Sequence, residues 1–129
     1  MKRMLNVFLC VVGCWLLFGC GSGGGDGGNS PGDVVKRYGK ALANGDTETA
    51  LNCIDPAKRK DVAEMIQMGA AIASAFAKEE GGLESVTILN EDIQGDQARL
   101  GYQTKTKKGG VRSDVAHVEK INGTWYVAP

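Results

Sequence analysis

The side chains best suited to covalent chemistry in this sequence are four cysteines and one histidine. A thiol beside an imidazole can act as a nucleophile with its base, and Cys53 and His117 are the pair that would do so. A single thiol on a short helix is more often a small buried hydrophobe. We therefore expect no catalytic residue, and Cys53 is expected to lie in the core.

His117 is the only histidine, and strand alternation places it on one sheet face with Glu119 and Tyr126. A histidine in a cavity can transfer protons, whereas a histidine on the outer face of a sheet is solvated. The predicted register turns this face away from the helices, so we expect His117 to be exposed. One histidine and one cysteine 64 positions apart do not form a metal site. We expect no metal and no cofactor.

The remaining cysteines lie in or beside an apolar N-terminal segment. Residues 1–3 supply two positive charges, and residues 4–18 are uncharged and mostly apolar. This run is shorter than the about 20 residues that a membrane-spanning helix needs. A positive start, a short apolar run and a small residue before a cleavage point are typical of a secretory signal.

The four residues that close this run are Leu17, Phe18, Gly19 and Cys20. They resemble the lipobox of bacterial lipoproteins. The resemblance implies cleavage between Gly19 and Cys20, with Cys20 as the acylated first residue of the mature chain. Cys20 would then be the lipidation site and would hold the protein at a membrane. By analogy with the family, Gly21 after the cysteine indicates the outer membrane, facing the periplasm, if the organism has two membranes.

Composition sets further limits on the predicted mature chain. Removing residues 1–19 leaves 13 basic and 15 acidic residues. So balanced a charge argues against nucleic acid as a partner, because nucleic-acid binding needs a strongly basic face. Residues 20–29 are rich in glycine and are predicted to be a flexible tether. Residues 30–129 have the common length of one domain, with Cys53 as the only thiol and therefore no internal disulfide.

Three helices are predicted at the start of this domain. Ser30 and Pro31 form an N-cap and first-turn signal, and Asp46 can cap a short second helix. Asp55-Pro56 repeats the cap-plus-proline signal and predicts the start of a long third helix that ends at Gly81-Gly82. The small residues at positions 69–73 predict that this long helix lies close against a sheet.

Four strands are predicted to follow, because the apolar residues now recur at every second position and no longer at helical spacing. The first is predicted to end at Ile93, and the second runs through Ala98, Leu100, Tyr102 and Thr104. The third covers Val111 to Ile121, and the fourth covers Thr124 to Ala128. We predict a type I′ hairpin at Asn122-Gly123 between the last two strands.

That hairpin predicts the register of the sheet. Ile121 lies opposite Thr124, and Val118 therefore lies opposite Val127. To bring Leu100 onto the face of Val118, the loop at 108–110 must have an odd number of residues, or the third strand must bulge near 113–114. With three loop residues, Leu100 pairs with Val118 and Tyr102 pairs with Ala116.

Three helices followed by an antiparallel meander form an α+β layer pair. The motifs Pro31-x-x-Val34-Val35, Asn44-Gly45-Asp46 and Asn122-Gly123-Thr124-Trp125 resemble those of small bacterial lipoproteins with a cone-shaped domain. This domain of unknown function is nuclear transport factor 2-like (NTF2-like), with the shape of SnoaL and ketosteroid isomerase. The resemblance implies a curved four-stranded sheet covered by the helices. The side chains that could line a pocket inside the cone are Tyr38, Phe76, Leu100, Tyr102 and Trp125.

Three functions remain open from the sequence. The first is a lipid-anchored, non-enzymatic domain of the cell envelope that binds a small apolar ligand or a partner protein. The second is an enzyme of isomerase or hydratase type that uses the interior of the cone. The third is a module that forms homodimers through the outer sheet face, where Val111 and Val115 are expected.

Two groups of basic residues are interpreted as solvated surface. They are Lys58-Arg59-Lys60 and the basic residues from Lys105 to Arg112.

Overall fold

The structure is a computed structural model that describes residues 27–129. The predicted signal peptide, the cleavage site, Cys20 and most of the glycine-rich tether lie outside the described residues. The elements, in chain order, are α1 (Pro31–Ala43), α2 (Thr47–Asn52), α3 (Arg59–Glu79), β1 (Leu83–Gln94), β2 (Gln97–Thr106), β3 (Val111–Ile121) and β4 (Thr124–Ala128). The four strands form one antiparallel meander in the order β1-β2-β3-β4. The predicted α+β fold class is confirmed.

The first two helices begin at the predicted caps. Ser30 Oγ accepts a hydrogen bond from the Asp33 N–H at 3.2 Å, and Pro31 occupies the first helical position. Asp46 accepts from the Thr49 N–H at 3.1 Å and from the Thr49 hydroxyl at 2.7 Å. The bond from the Thr49 hydroxyl makes the largest contribution to lowering the pKa of Asp46, and the bond from the Thr49 N–H lowers that pKa further. Local side-chain chemistry is therefore sufficient to set both starts.

The prediction that α3 starts at Asp55-Pro56 is wrong, because α3 begins at Arg59. Asp55 Oδ1 accepts from the Ala57 N–H at 3.2 Å, and the Asp55 carbonyl accepts from the Lys58 N–H at 2.9 Å. Aspartate followed by proline is also the typical opening of a β-turn. The same two residues thus form a turn that precedes the helix.

The long helix α3 packs on α1 and α2, and the prediction that it lies against the sheet is wrong. Its buried side chains are Ile66, Ala70 and Ala77, whereas Ile72 is 58% exposed. A Cβ atom added to Gly69 would meet nothing within 4 Å. It is α1 that covers the sheet, contacting all four strands. Gly69 therefore borders open space, whereas Ala70 and Ala77 are buried.

Replacing Gly69 with alanine is expected to raise the free energy of unfolding by about 0.8–1 kcal/mol, since alanine is the better helix former and has room here. Urea unfolding measures the change. Gly39→Ala on α1 is the matched control, because its Cβ would lie 3.3 Å from Val86 Cγ1. The control should gain less or lose stability. Equal gains at the two sites would contradict the open space at Gly69.

The last hairpin has the predicted register. Ile121 pairs with Thr124 and Val118 pairs with Val127. Asn122 and Gly123 both have positive φ angles, of 51° and 82°, as a type I′ turn requires. His117 therefore faces away from the helices and is exposed, as predicted.

The predicted pairing of β2 with β3 is wrong by two residues. Leu100 pairs with Ala116, and Tyr102 pairs with Asp114. The loop between the paired residues Lys105 and Val111 spans 106–110 and is closed by a 2.9 Å bond from the Thr106 N–H to the Gly110 carbonyl. Both the predicted and the observed loops have an odd number of residues, so the same side chains face the helices.

The register shifts of the sheet lie in the pairing of β1 with β2. The pairing of β2 with β3 runs without a shift through 113–114, so the alternative prediction of a bulge there is wrong. The register shifts between Ile88 and Asn90, where Asn90 Oδ1 accepts from the Gly101 N–H at 3.1 Å. A Cβ at position 101 would lie 2.9 Å from the Asn90 amide nitrogen. Glycine at 101 thus leaves room for the side chain that completes the ladder.

Gly27 and Gly28 are held in place by hydrogen bonds, although they lie within the segment that the sequence predicts to be flexible up to Asn29. The Gly27 N–H donates to the Asn52 carbonyl at 2.9 Å, and Gly28 exchanges two 2.9 Å bonds with Trp125 of β4. Arg37 also donates to the Gly27 carbonyl. Composition favours a flexible segment here, but tertiary hydrogen bonds hold these two glycines against the outer edge of β4.

The core lies between α1 and the concave face of the sheet. Its fully buried side chains include Val34 and Val35 of α1, Ile54 and Leu100. Cys53 is also fully buried and forms no disulfide within the part of the chain that the structure describes. Within residues 27–129, none of the helices combines the length and apolar composition needed to cross a membrane.

Candidate functional site

An open cleft of about 200 Å³ separates the C-terminal half of α3 from the concave sheet face. It exists because α3 packs against α1 and leaves part of β2 and β3 uncovered. Small residues of α1 and α3 line it on the helical side. The lining consists of Gly39, Leu42, Ala43, Gly69, Ile72, Ala73, Phe76, Ala77, Tyr102, Thr104, Arg112 and Asp114.

The two walls of the cleft differ in chemistry. Ile72 and Phe76 of α3 provide the apolar wall. The sheet wall carries four polar side chains, because alternate residues of neighbouring strands share one face. Tyr102 is paired with Asp114, and Thr104 is paired with Arg112. A ligand here would meet hydrocarbon on one side and hydroxyl, guanidinium and carboxylate groups on the other.

A second hollow of about 300 Å³ adjoins the cleft. The two share Leu42, Tyr102 and Asp114 in their linings. Tyr38 of α1 also lines the second hollow. Tyr102 and Asp114 therefore lie at the junction, where a longer ligand would contact both spaces.

The two tyrosines of this region remain protonated at neutral pH. Burial raises the pKa of Tyr38 to about 12, and interactions with Tyr102 and Cys53 act in the same direction. Burial and then the Asp114 carboxylate raise the pKa of Tyr102, while Arg112 lowers it. Their hydroxyls can donate hydrogen bonds to a ligand, but neither is suited to act as a base near neutral pH.

The folded protein is expected to lose stability as the pH rises from about 10 toward 12. Tyr38 keeps its proton up to about pH 12 in the folded state, whereas an unfolded tyrosine loses it near pH 10. Between these values the folded state binds more protons, so the free energy of unfolding falls as the pH rises. Below pH 10 this contribution is fully present.

Urea unfolding at several pH values above 9 measures this effect. The Tyr38→Phe variant has no proton to lose at this position, so its stability should fall less steeply with pH. Parallel pH profiles for the two proteins would show that Tyr38 is not the responsible group.

Comparison with known families identifies the domain. The family model described as a domain of unknown function, DUF4878, matches residues 23–128. The chain belongs to the DUF4878 family. A search of curated proteins found no match.

Solved structures of other proteins resemble this DUF4878 domain, among them the following two. A Campylobacter jejuni protein, provisionally named an NTF2-like transpeptidase, is 26% identical, with a TM-score of 0.68 over 74% of this chain and 94% of that one. A SEC-C motif containing protein from Rhodopseudomonas palustris is 18% identical, with a TM-score of 0.52 over 78% of this chain and 77% of that one. The first match gives this DUF4878 domain an NTF2-like α+β fold.

The structure separates the five residues predicted to line a pocket. Phe76 and Tyr102 line the cleft, and Tyr38 joins Tyr102 in the second hollow. Leu100 is completely buried and Trp125 is 6% exposed, so both pack in the core of this DUF4878 domain. Leu100 and Trp125 lie on the same concave sheet face as Tyr102, but the helices cover the part of that face where these two residues lie.

Sequence reasoning missed Arg112 and Asp114, which line the cleft. The sequence pattern places Arg112 among the basic residues that are interpreted as solvated surface. The signal that could have found both was already present, since the predicted alternation of β3 puts positions 112 and 114 on the face of Ala116 and Val118. The exposure of Arg112 and Asp114 near the start of β3 depends on the position of α3. The sequence predicts that α3 lies against the sheet, and this prediction is wrong.

The hypothetical Cys53–His117 pair is not assembled. Cys53 is fully buried in the core, whereas His117 is exposed on the opposite face of the sheet. Across residues 27–129, no three His, Cys, Asp or Glu side chains are placed to hold a metal ion.

Proposed function

We propose that this protein is anchored to the cell envelope by a lipid on Cys20 and that its cleft binds a small apolar ligand without transforming it. If the organism has two membranes, the site would be the outer membrane, facing the periplasm. The observation that carries the binding role is the open cleft of about 200 Å³ with Ile72 and Phe76 on its apolar wall. The lipobox-like residues Leu17 to Cys20 support the anchor.

Binding is favoured over catalysis by the positions of the ionised groups. Arg112 and Asp114 are about half exposed, at 49% and 51% of their side chains, and so lie at the rim of the cleft. The more deeply placed hydroxyls belong to Tyr38 and Tyr102, whose raised pKa values keep them neutral. A general acid or base works best with a pKa near the operating pH. The name of the Campylobacter jejuni protein is the reason to retain an enzyme as the alternative.

Methyl NMR with 4-methylpentan-1-ol tests the binding role. The alcohol should shift the Ile72 methyl signals in a saturable way, because Ile72 lines the cleft. Gly69→Leu should weaken binding by about 10-fold or more, since a leucine there extends into open space within the cleft. Ala71→Leu is the matched control, because Ala71 is exposed and lines no part of the cleft. Equal binding by the two variants, or no shift at Ile72, would contradict the proposal.

Dimerisation through the outer sheet face is a second candidate. Val111 and Val115 are each 52% exposed, and alternation places them on the face turned away from the helices. Light scattering at increasing protein concentration should show a rising average mass if this face associates, and Val115→Lys should prevent the rise. A constant monomer mass would remove this candidate.

A further inference from the structure

We infer that the ligand of the cleft is an α-amino acid with an apolar side chain, held by its charged groups between Arg112 and Asp114. This inference rests on the proposed binding function and names its ligand class. It starts from the pairing of one cation with one anion on the sheet wall, opposite the apolar wall formed by Ile72 and Phe76.

The two charged groups are close but do not satisfy one another. Arg112 Nε lies 3.7 Å from Asp114 Oδ2. A charge-assisted hydrogen bond is shorter, at about 2.7–2.9 Å. The Lys58–Glu119 pair of this protein, at 2.6 Å, shows the closer arrangement. The Arg112 guanidinium and the Asp114 carboxylate therefore retain donors and acceptors for a ligand.

The pair's charge pattern selects among ligands. A lone carboxylate beside Arg112 would also face the negative Asp114, and a lone ammonium beside Asp114 would face the positive Arg112. A group that carries both charges avoids either repulsion. In an α-amino acid, one carbon joins the ammonium and the carboxylate, so the two charges are as close together as those of the pair.

The remainder of the cleft limits the ligand's size and polarity. Its volume of about 200 Å³ suits a molecule of about ten non-hydrogen atoms, fewer than a typical drug-sized ligand has. Ile72 and Phe76 offer hydrocarbon to the amino acid's side chain. Tyr102 and Thr104 line the sheet wall beside the charged pair and carry hydroxyls that can bond the head group. Leucine combines these properties.

Isothermal titration of the purified protein with L-leucine tests this inference. Arg112→Gln and Asp114→Asn should each weaken binding by about 10-fold or more, since each removes the charge that pairs with the opposite charge of the ligand and leaves at best a weaker, neutral hydrogen bond. The matched controls are Lys105→Gln and Glu84→Gln. Lys105 and Glu84 form a similar half-exposed ion pair at 3.5 Å, and neither lines the cleft. These two variants should bind leucine as the parent protein does.

Three analogues of leucine separate the charges. 4-Methylpentanoate lacks the ammonium group, 3-methylbutylamine lacks the carboxylate, and 4-methylpentan-1-ol lacks both. Each should bind at least about 10-fold more weakly than leucine. Binding of the pentanoate or of the amine as tightly as leucine would overturn the two-charge recognition.

The outcomes distinguish this inference from the proposed function. If 4-methylpentan-1-ol binds as tightly as leucine and the Arg112 and Asp114 variants are unchanged, the cleft is an apolar site and the amino-acid assignment is wrong. If neither compound binds, the proposed function fails as well. If a leucine-containing dipeptide binds much more tightly than leucine, the ligand is a peptide and the amino-acid assignment is wrong.

Discussion

Replacing Cys20 with serine is expected to abolish acylation and to leave residues 1–19 attached to the chain. The prediction follows from the lipobox-like residues, in which the thiol receives the lipid before the peptidase cuts. Each buried acyl CH₂ contributes about 0.8 kcal/mol, so two or three chains on one residue hold a domain at a bilayer durably. Loss of the thiol should remove that entire contribution.

Intact-mass spectrometry and detergent-phase partition of the full chain measure this change. The parent protein should begin at Cys20, carry the mass of its acyl groups and enter the detergent phase. Cys10→Ser and Cys14→Ser are matched controls, because both residues lie in the segment that is predicted to be removed. They should yield the same mature protein as the parent. A parent protein with an unmodified Cys20 would refute the anchor.

Truncating Leu100 to alanine is expected to lower the free energy of unfolding by about 2–5 kcal/mol. Leu100 is completely buried where α1 covers the centre of the sheet, so its removal leaves a cavity that its neighbours fill only in part. Small domains are stable by only about 5–15 kcal/mol, and the variant should therefore unfold at a much lower urea concentration.

Leu89→Ala on β1 is the control for this truncation. It removes the same atoms from a side chain that is 52% exposed, so the change should stay within about 0.5 kcal/mol. Similar losses at the two positions would mean that Leu100 does not lie in the core.

The pairing of β2 with β3 illustrates how far sequence reasoning reaches. Alternating apolar residues require Leu100, Tyr102, Ala116 and Val118 to share the concave face, and the structure confirms that they do. The same requirement is met by any loop with an odd number of residues. The choice among such loops depends on bonds such as that from the Thr106 N–H to the Gly110 carbonyl, which the alternation does not specify.

The cleft, in contrast, could not be predicted from the sequence. The apolar spacing of α3 and its small residues predict a long helix with a closely approached face. They do not name the neighbour. Packing against α1 rather than the sheet leaves Gly69 beside open space, and that one difference gives the half-exposed residues Arg112 and Asp114 a place at the rim of a candidate site.

The amino-acid sequence by itself determines the order of the elements, the capped starts of α1 and α2, the Asn122-Gly123 hairpin and the face on which each strand residue lies. These features depend on interactions among residues a few positions apart, or on strict alternation, so a local pattern is enough to specify them. Only the tertiary structure decides the packing partner of α3, the β2–β3 pairing, the attachment of Gly27 and Gly28 to β4 and hence the cleft. Each of these depends on contacts between distant segments, whose free energies are summed over the whole fold and are not encoded in any single stretch of the chain.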